Sequence, residues 1–248
     1  LLVKRSTHHP VGGSLRALVH QGGIGQLANL FQLFNYRAAY YLIETLRGTA
    51  SLGVYSVAMQ LAEGSWLVPK SIGGVLYSKV SNLEHQRRQV QLTTILFKIS
   101  VLFGMACALA LVVLPDTVYS GVFGKEVRGL RPILLLIAPG LVAMSGSQVL
   151  SHYLSGTGHV RHNMIGSGLG LVVTLVLGWP SIANYGLVGA AFTASVAYTT
   201  SLCYQVVVFL RHTHTRIIVL VPGKGDLRMA RSLWHKYRNA HDVDGSYI

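Results

Sequence analysis

The sequence predicts an all-α, polytopic membrane protein with six transmembrane helices. Of the 248 residues, 51% are hydrophobic and only 12% are charged, whereas an ordinary soluble domain has about 25% charged residues. The mean hydropathy is +0.46. Long apolar windows recur along the chain, and a run of about 18 or more apolar residues is typical of a membrane-spanning helix. This composition argues against a disordered chain and against a soluble enzyme.

The apolar windows divide the chain into an N-terminal segment (1–21), a transmembrane region (22–210) and a basic tail (211–248). The third and sixth windows are the most continuous, and the first is interrupted by polar side chains. The predicted spans are 22–46, 52–80, 90–114, 132–154, 164–183 and 187–210.

The polar residues of the first span follow a regular spacing. Four amide side chains recur every third residue, a spacing that keeps them on one broad face of a helix. They are Gln26, Asn29, Gln32 and Asn35. In a bilayer such a face is expected to lie against other helices or water rather than lipid.

Basic residues predict the orientation in the membrane. The net charge is +13, from 21 Lys and Arg against 8 Asp and Glu. The basic residues gather between the apolar windows and in the tail, which makes nucleic-acid binding the weaker interpretation. Placing both chain ends in the cytoplasm puts most of these basic residues on the inner side of the membrane. The chain begins at Leu1 without a signal peptide, so we expect it to be the later part of a longer protein.

Small residues predict where the helices pack closely. Gly166 and Gly170 are four residues apart in the fifth span, as are Gly186 and Ala190 at the start of the sixth. This spacing lets helix backbones approach each other where lipid supplies no hydrophobic driving force.

Signatures of catalysis, cofactors and metals are absent from the sequence. The Gly-Lys-Gly run at 223–225 lacks the flanking residues of a phosphate-binding loop. The histidines at 8–9 and 212–214 have no carboxylate or cysteine at ligand spacing. Cys107 and Cys203 lie in apolar windows and predict no disulfide framework. We therefore expect neither an enzyme nor a metal or cofactor site.

Ionisable residues inside the spans are the candidate functional residues. A charge at the bilayer centre costs about 2.5 to 3.5 kcal/mol on the mildest scales, so it persists where it faces a partner or a wet cavity. The rise of about 1.5 Å per residue places Arg37 and Glu63 at depths that differ by roughly 5 Å. These two residues could form a static ion pair or could line a substrate cavity. Lys70 lies two turns from Glu63 on the same face, whereas Lys98 is near enough to a helix end to snorkel.

Five sequence motifs, in order along the chain, resemble those of polysaccharide and O-antigen flippases, within the multidrug/oligosaccharidyl-lipid/polysaccharide exporter superfamily. The resemblance extends from about residue 36 to residue 211. The motifs are LGVYSVA at 52–58; LAE at 61–63 with Pro69; FGKE at 123–126 continuing through ILLL at 133–136 to Pro139-Gly140; YLSGTG at 153–158; and YGLVGAA at 185–191.

The resemblance implies a fold and a function. Members of that superfamily are MATE-like transporters with two six-helix lobes, and this chain resembles the C-terminal lobe alone. They move lipid-linked saccharides across the bacterial inner membrane by alternating access, using a cationic cavity between the lobes. Arg37 and Glu63 match charged positions of the family, but Ala39 replaces an acidic residue that members often have. The implied partners are a polyprenyl-pyrophosphate-linked saccharide, membrane lipids, the N-terminal lobe and polysaccharide assembly proteins.

Two alternatives to a flippase stay open at this point. An ion-coupled exporter of drugs or other small molecules, from the same superfamily, predicts acidic residues in the cavity, and Glu63 is the one available. A membrane scaffold without transport predicts that the basic tail binds anionic lipid. In a scaffold, Arg37 and Glu63 would matter for stability alone.

Overall fold

The computed structural model describes residues 11–83, 85–124 and 129–221, with side chains from residue 22 onward. Residues 1–10 of the predicted N-terminal segment, the Lys125-Glu126 part of the third motif and the tail beyond residue 221 lie outside these residues. The described chain is all-helical. Its elements are α1 (Val11–Arg47), α2 (Thr49–Asn82), α3 (Gln86–Val113), α4 (Asp116–Phe123), α5 (Leu130–Gly156), α6 (Val160–Thr213) and a short 3₁₀ turn (Ile217–Leu220).

Helix α5 lies at the centre of the bundle and packs against α2, α3 and α6, while α1 packs mainly against α6. Two apolar clusters form the core, one toward each end of the bundle. One cluster includes Ile43, Met59 and Ile137, and the other includes Leu76 and Phe209. Because α5 contributes to both clusters, it holds α2 and α6 in a fixed arrangement along the length of the bundle.

Helix α6 is 54 residues long but is broken at Gly186, where φ is +61° and ψ is −134°. This combination of φ and ψ is readily available to glycine alone, so the chain turns here and α6 has two arms, 160–185 and 187–213. Arg47 donates hydrogen bonds to the carbonyls of Ile182 and Ala183, at 3.1 and 2.7 Å. The guanidinium therefore satisfies carbonyls that the end of the first arm leaves free. The break lies between the predicted spans 164–183 and 187–210.

Among the described residues, three helices are both long enough and apolar enough to cross a bilayer, namely α3, α5 and the broken helix α6. Helices α1 and α2 are 37 and 34 residues long. Polar and charged side chains lower the hydropathy of these two helices. Membrane crossing by six separate segments stays a prediction.

The small residues lie mostly at close helix contacts. Gly166, Gly170 and Ala190 are buried. A Cβ atom added at Gly170 would lie 2.5 Å from the Ser201 hydroxyl oxygen. Gly186 differs from the other three, because it lies at the break in α6 beside the Arg47 guanidinium.

Ser195 repairs the hydrogen-bond ladder of α5 at Pro139. Proline has no N–H and displaces the carbonyl of the preceding turn. The Ser195 hydroxyl accepts a bond from the Gly140 amide at 3.1 Å and donates one to the Leu136 carbonyl. Such a side chain from a neighbouring helix is one way in which a membrane helix tolerates an internal proline.

Replacement of Ser195 by alanine is expected to lower the free energy of unfolding by about 1–3 kcal/mol, because a buried amide and carbonyl lose a partner. Unfolding in mixed detergent micelles, followed by circular dichroism, measures the loss. Ser71→Ala is the matched control, since the exposed Ser71 hydroxyl bonds only to the carbonyl of Leu67 in its own helix. Equal stability of the two variants would contradict the assigned role of Ser195.

Candidate substrate cavity

A cavity of about 660 Å³ lies between α1, α2 and α5 and contains the three predicted site residues Arg37, Glu63 and Lys70. Arg37 and Lys70 are exposed on the cavity surface and Glu63 is half-buried. The remaining lining residues are mostly polar or aromatic. They are Asn29, Gln32, Leu33, Tyr36, Tyr40, Gln60, Trp66, Leu67, Gln148, Ser151, His152 and Ser155.

Arg37 contacts the aromatic ring of Tyr40 and not the carboxylate of Glu63, with which an ion pair was one of the two predicted arrangements. Its guanidinium carbon lies 5.5 Å from the centroid of the Tyr40 ring, within the range of a cation–π interaction. Within the described part of the chain, Arg37 and Glu63 do not approach within the 4.0 Å of an ion pair. Both charges therefore remain available to a molecule in the cavity.

Aromatic side chains form one wall of the cavity. Tyr36 stacks on Trp66 with ring centroids 5.8 Å apart, and Tyr198 packs edge-on against both rings. Trp66 is only 5% exposed, and its indole N–H has no hydrogen-bond partner among the described residues. Sequence reasoning missed this cluster because aromatic residues in apolar windows are usually core residues.

Three of the four amides on the polar face predicted for α1 lie against the cavity or a neighbouring helix, whereas Gln26 is exposed. Asn29 and Gln32 line the cavity. Asn35 is buried and its side-chain oxygen accepts a hydrogen bond from the Thr174 hydroxyl in α6. Asn29 and Gln32 thus face the open space, whereas Asn35 is paired with a hydroxyl group inside the lobe.

Four polar residues of α5 complete the cavity, and sequence reasoning missed them. Gln148, Ser151, His152 and Ser155 follow the i, i+3, i+4, i+7 spacing of one helix face. That spacing, within an otherwise apolar window, was the signal that could have found them. Lys98 is half-buried in α3 and is not part of the cavity lining.

A second opening of about 460 Å³ continues from the cavity toward the turn between α1 and α2. It shares Arg37, Tyr40 and Gln60 with the main cavity and extends to Glu44 and Thr49. Together the two spaces form a groove along α1 and α2 that is open on one side.

Three histidines meet at the other end of the bundle, where α6 begins and ends. The His212 ring centroid lies 4.1 Å from that of His159 and 5.6 Å from that of His162. Burial, together with the neighbouring His212 and His162, lowers the pKa of His159. No group of three or more His, Cys, Asp or Glu among the described residues is arranged to hold a metal ion.

Comparison with solved structures identifies the fold. The chain aligns with a MOP superfamily transporter from Pyrococcus furiosus at a TM-score of 0.67 and 15% sequence identity, covering 85% of this chain and 49% of that one. This is the fold of MOP superfamily transporters. An outward-facing multidrug resistance MATE family transporter gives a TM-score of 0.65 at 16% identity, covering 86% of this chain and 49% of that one. A MATE protein in complex with Br-NRF gives a TM-score of 0.63 at 17% sequence identity, covering 86% of this chain and 52% of that one.

Sequence comparison finds a distant similarity to a protein of polysaccharide biosynthesis. The chain is 26% identical over 164 residues to the capsular polysaccharide biosynthesis protein CapF of Staphylococcus aureus, covering 65% of this chain and 41% of CapF. No family model matches the chain. The chain spans about half the length of the MOP transporters that it resembles and less than half of CapF.

Proposed function

We propose that this chain is one lobe of a membrane transporter that flips lipid-linked oligosaccharide or polysaccharide precursors across the bacterial inner membrane. The observation that carries the proposal is the cavity of about 660 Å³ in which Arg37 and Lys70 outnumber the single acid Glu63. A cavity with net positive charge favours an anionic substrate, as in electrostatic focusing by charged clefts.

The chemistry of a lipid-linked saccharide fits this cavity. Its pyrophosphate is negatively charged and would be very costly to place in hydrocarbon without cationic partners. Its sugar is polar and requires space for hydrogen bonding. Its polyprenyl chain can stay in lipid beside the groove, which is open on one side. The similarity to CapF, a capsular polysaccharide biosynthesis protein, supports the same substrate class.

We propose alternating access as the mechanism, with a second lobe completing the open side of the groove. MFS-type transporters show that two membrane repeats can rock around a shared site near the midplane. Arg37 and Lys70 would bind the pyrophosphate on one side of the membrane and release it on the other. Both chain ends would be cytoplasmic, and polysaccharide assembly proteins would supply and receive the substrate.

The proposal is tested by native mass spectrometry of the full-length protein purified from its own membrane. We expect a co-purified polyprenyl-pyrophosphate saccharide in the wild type and at least a tenfold lower occupancy in Arg37→Gln, because a charge-assisted contact to phosphate is lost. Arg88→Gln is the matched control, since Arg88 is exposed at the start of α3 and away from the cavity. A wild-type protein without such a lipid, or an Arg37→Gln variant with unchanged occupancy, would contradict the proposal.

A second candidate is an ion-coupled exporter of drugs or other small molecules. It is favoured by the half-buried carboxylate of Glu63 in the cavity and by the likeness of the fold to MATE transporters. In such an exporter the Glu63 carboxylate would exchange between an ion and a cationic substrate. Efflux of a cationic dye that depends on Glu63 would support this candidate.

A further inference from the structure

The charges of the cavity are all on one side of it. Arg37 projects from α1, and Glu63 and Lys70 project from α2. The opposite side consists of Gln148, Ser151, His152 and Ser155 of α5, which we call the α5 wall. This wall contains no carboxylate, ammonium or guanidinium group, and it offers hydrogen-bonding amide, hydroxyl and imidazole groups instead.

The imidazole of His152 is held in one orientation. Its Nδ1 atom lies 2.7 Å from the carbonyl oxygen of Gln148. A carbonyl only accepts hydrogen bonds, so Nδ1 carries a proton, and in that tautomer Nε2 is the acceptor. The ring also packs against Gly73, where an added Cβ would lie 2.5 Å from Nδ1. These contacts from α5 and α2 give His152 a fixed acceptor in the cavity lining.

Two other groups of the α5 wall have no partner inside the described part of the protein. The side-chain amide of Gln148 and the hydroxyl of Ser151 make no hydrogen bond there, although both residues are half-buried. The Ser155 hydroxyl, in contrast, accepts a bond from Asn163 at 2.9 Å. Half-buried polar groups without protein partners require water or a ligand as their partner.

The α5 wall continues into a small recess behind α1. The recess has a volume of about 30 Å³ and shares Gln148 and Ser151 with the main cavity. Its other polar lining includes Asn35, Ser167 and Gln205, and none of its lining residues is charged. A space of this volume with several polar partners can hold a water molecule. Hydrogen-bonding capacity on this side therefore extends deeper than the cavity surface.

We infer that the α5 wall binds the neutral, polyhydroxylated part of the ligand, while Arg37 and Lys70 bind its anionic part. The inference rests on the proposed function and assigns specificity for the sugar to Gln148, Ser151 and His152. A sugar hydroxyl both donates and accepts, so it can donate to Nε2 of His152 and accept from the Gln148 amide. A site built to bond hydroxyl groups discriminates strongly against a ligand that lacks them, because its polar groups are then left unpaired.

The test uses the full-length protein and two probes, undecaprenyl pyrophosphate and the same lipid carrying N-acetylglucosamine. Dissociation constants are measured in nanodiscs. We expect the wild type to bind the sugar-bearing lipid at least tenfold more tightly. Gln148→Leu and His152→Leu should each remove most of that preference and change the affinity for the sugar-free lipid less than twofold. Ser151→Ala removes one oxygen atom and should give about a threefold loss with little risk to folding.

Gln91→Leu is the matched control, because Gln91 is exposed on α3 and does not line either space. Equal losses of affinity for both probes, or a wild type without preference for the sugar-bearing lipid, would overturn the assignment to the α5 wall while leaving the flippase proposal intact. A wild type that binds neither probe would overturn both.

Discussion

Replacement of Gly189 by alanine is expected to prevent the two arms of α6 from packing. A Cβ atom at this position would lie 2.0 Å from the carbonyl oxygen of Ser181 and 2.5 Å from its carbonyl carbon. Both atoms belong to the backbone of the opposing arm, so no side-chain rotation relieves the overlap. We expect a loss of about 4 kcal/mol or more of unfolding free energy, beyond the usual cost of overpacking. Thermal unfolding in detergent, or the yield of folded protein, measures this effect.

Gly64→Ala is the control for this substitution. Gly64 lies in α2, and an added Cβ there meets nothing within 4 Å. Alanine favours helix over glycine by about 1 kcal/mol, so this variant should be as stable as the wild type or slightly more stable. A Gly189→Ala variant that unfolds at the wild-type temperature would show that the arms of α6 do not meet as described.

The apolar windows predicted the positions of the long helices better than their ends. Helix α1 begins at Val11, whereas its window begins at residue 22. The reason is that hydropathy detects apolar surface, and the residues before 22 are helical without being uniformly apolar. The short helix α4 was missed for a similar reason, because it is only 8 residues long. The apolar windows did separate the two arms of α6, at spans 164–183 and 187–210, but the positive φ of Gly186 at the break is not revealed by an apolar pattern.

The charged residues of the cavity could be predicted because charge inside a span is costly and therefore informative. Arg37, Glu63 and Lys70 stood out in apolar windows, and the structure brings all three to one cavity. Serine and glutamine cost much less in a membrane, so the α5 wall gave no comparable signal. The histidine cluster joins His159 to His212, which are far apart in sequence. Only the fold of α6 back on itself shows that they meet.

The sign of the cavity charge is the feature that separates the two candidate functions. Arg37 and Lys70 together exceed the single Glu63, whereas Lys70→Glu would leave two carboxylates against one guanidinium. Two unit charges about 6 Å apart interact by about 3 kcal/mol at an effective dielectric constant of about 20. Reversal of the charge at residue 70 turns its attraction for a bound anion into repulsion, so the interaction energy changes by up to twice that amount. Solvent screening makes the change smaller, because Lys70 is exposed.

We therefore expect Lys70→Glu to lower the translocation of a fluorescent polyprenyl-pyrophosphate saccharide, in proteoliposomes containing the full-length protein, on the order of 100-fold. Lys79→Glu is the control, because Lys79 is exposed near the end of the same helix and does not line the cavity. Lys79→Glu also replaces a positive charge by a negative one, but it leaves the cavity lining unchanged. If the protein instead exports cationic drugs, Lys70→Glu should leave their efflux intact or raise it, because the cavity then attracts cations. The flippase thus predicts a large loss of transport from this substitution and the drug exporter predicts none, and folding defects cannot imitate an intact or raised efflux.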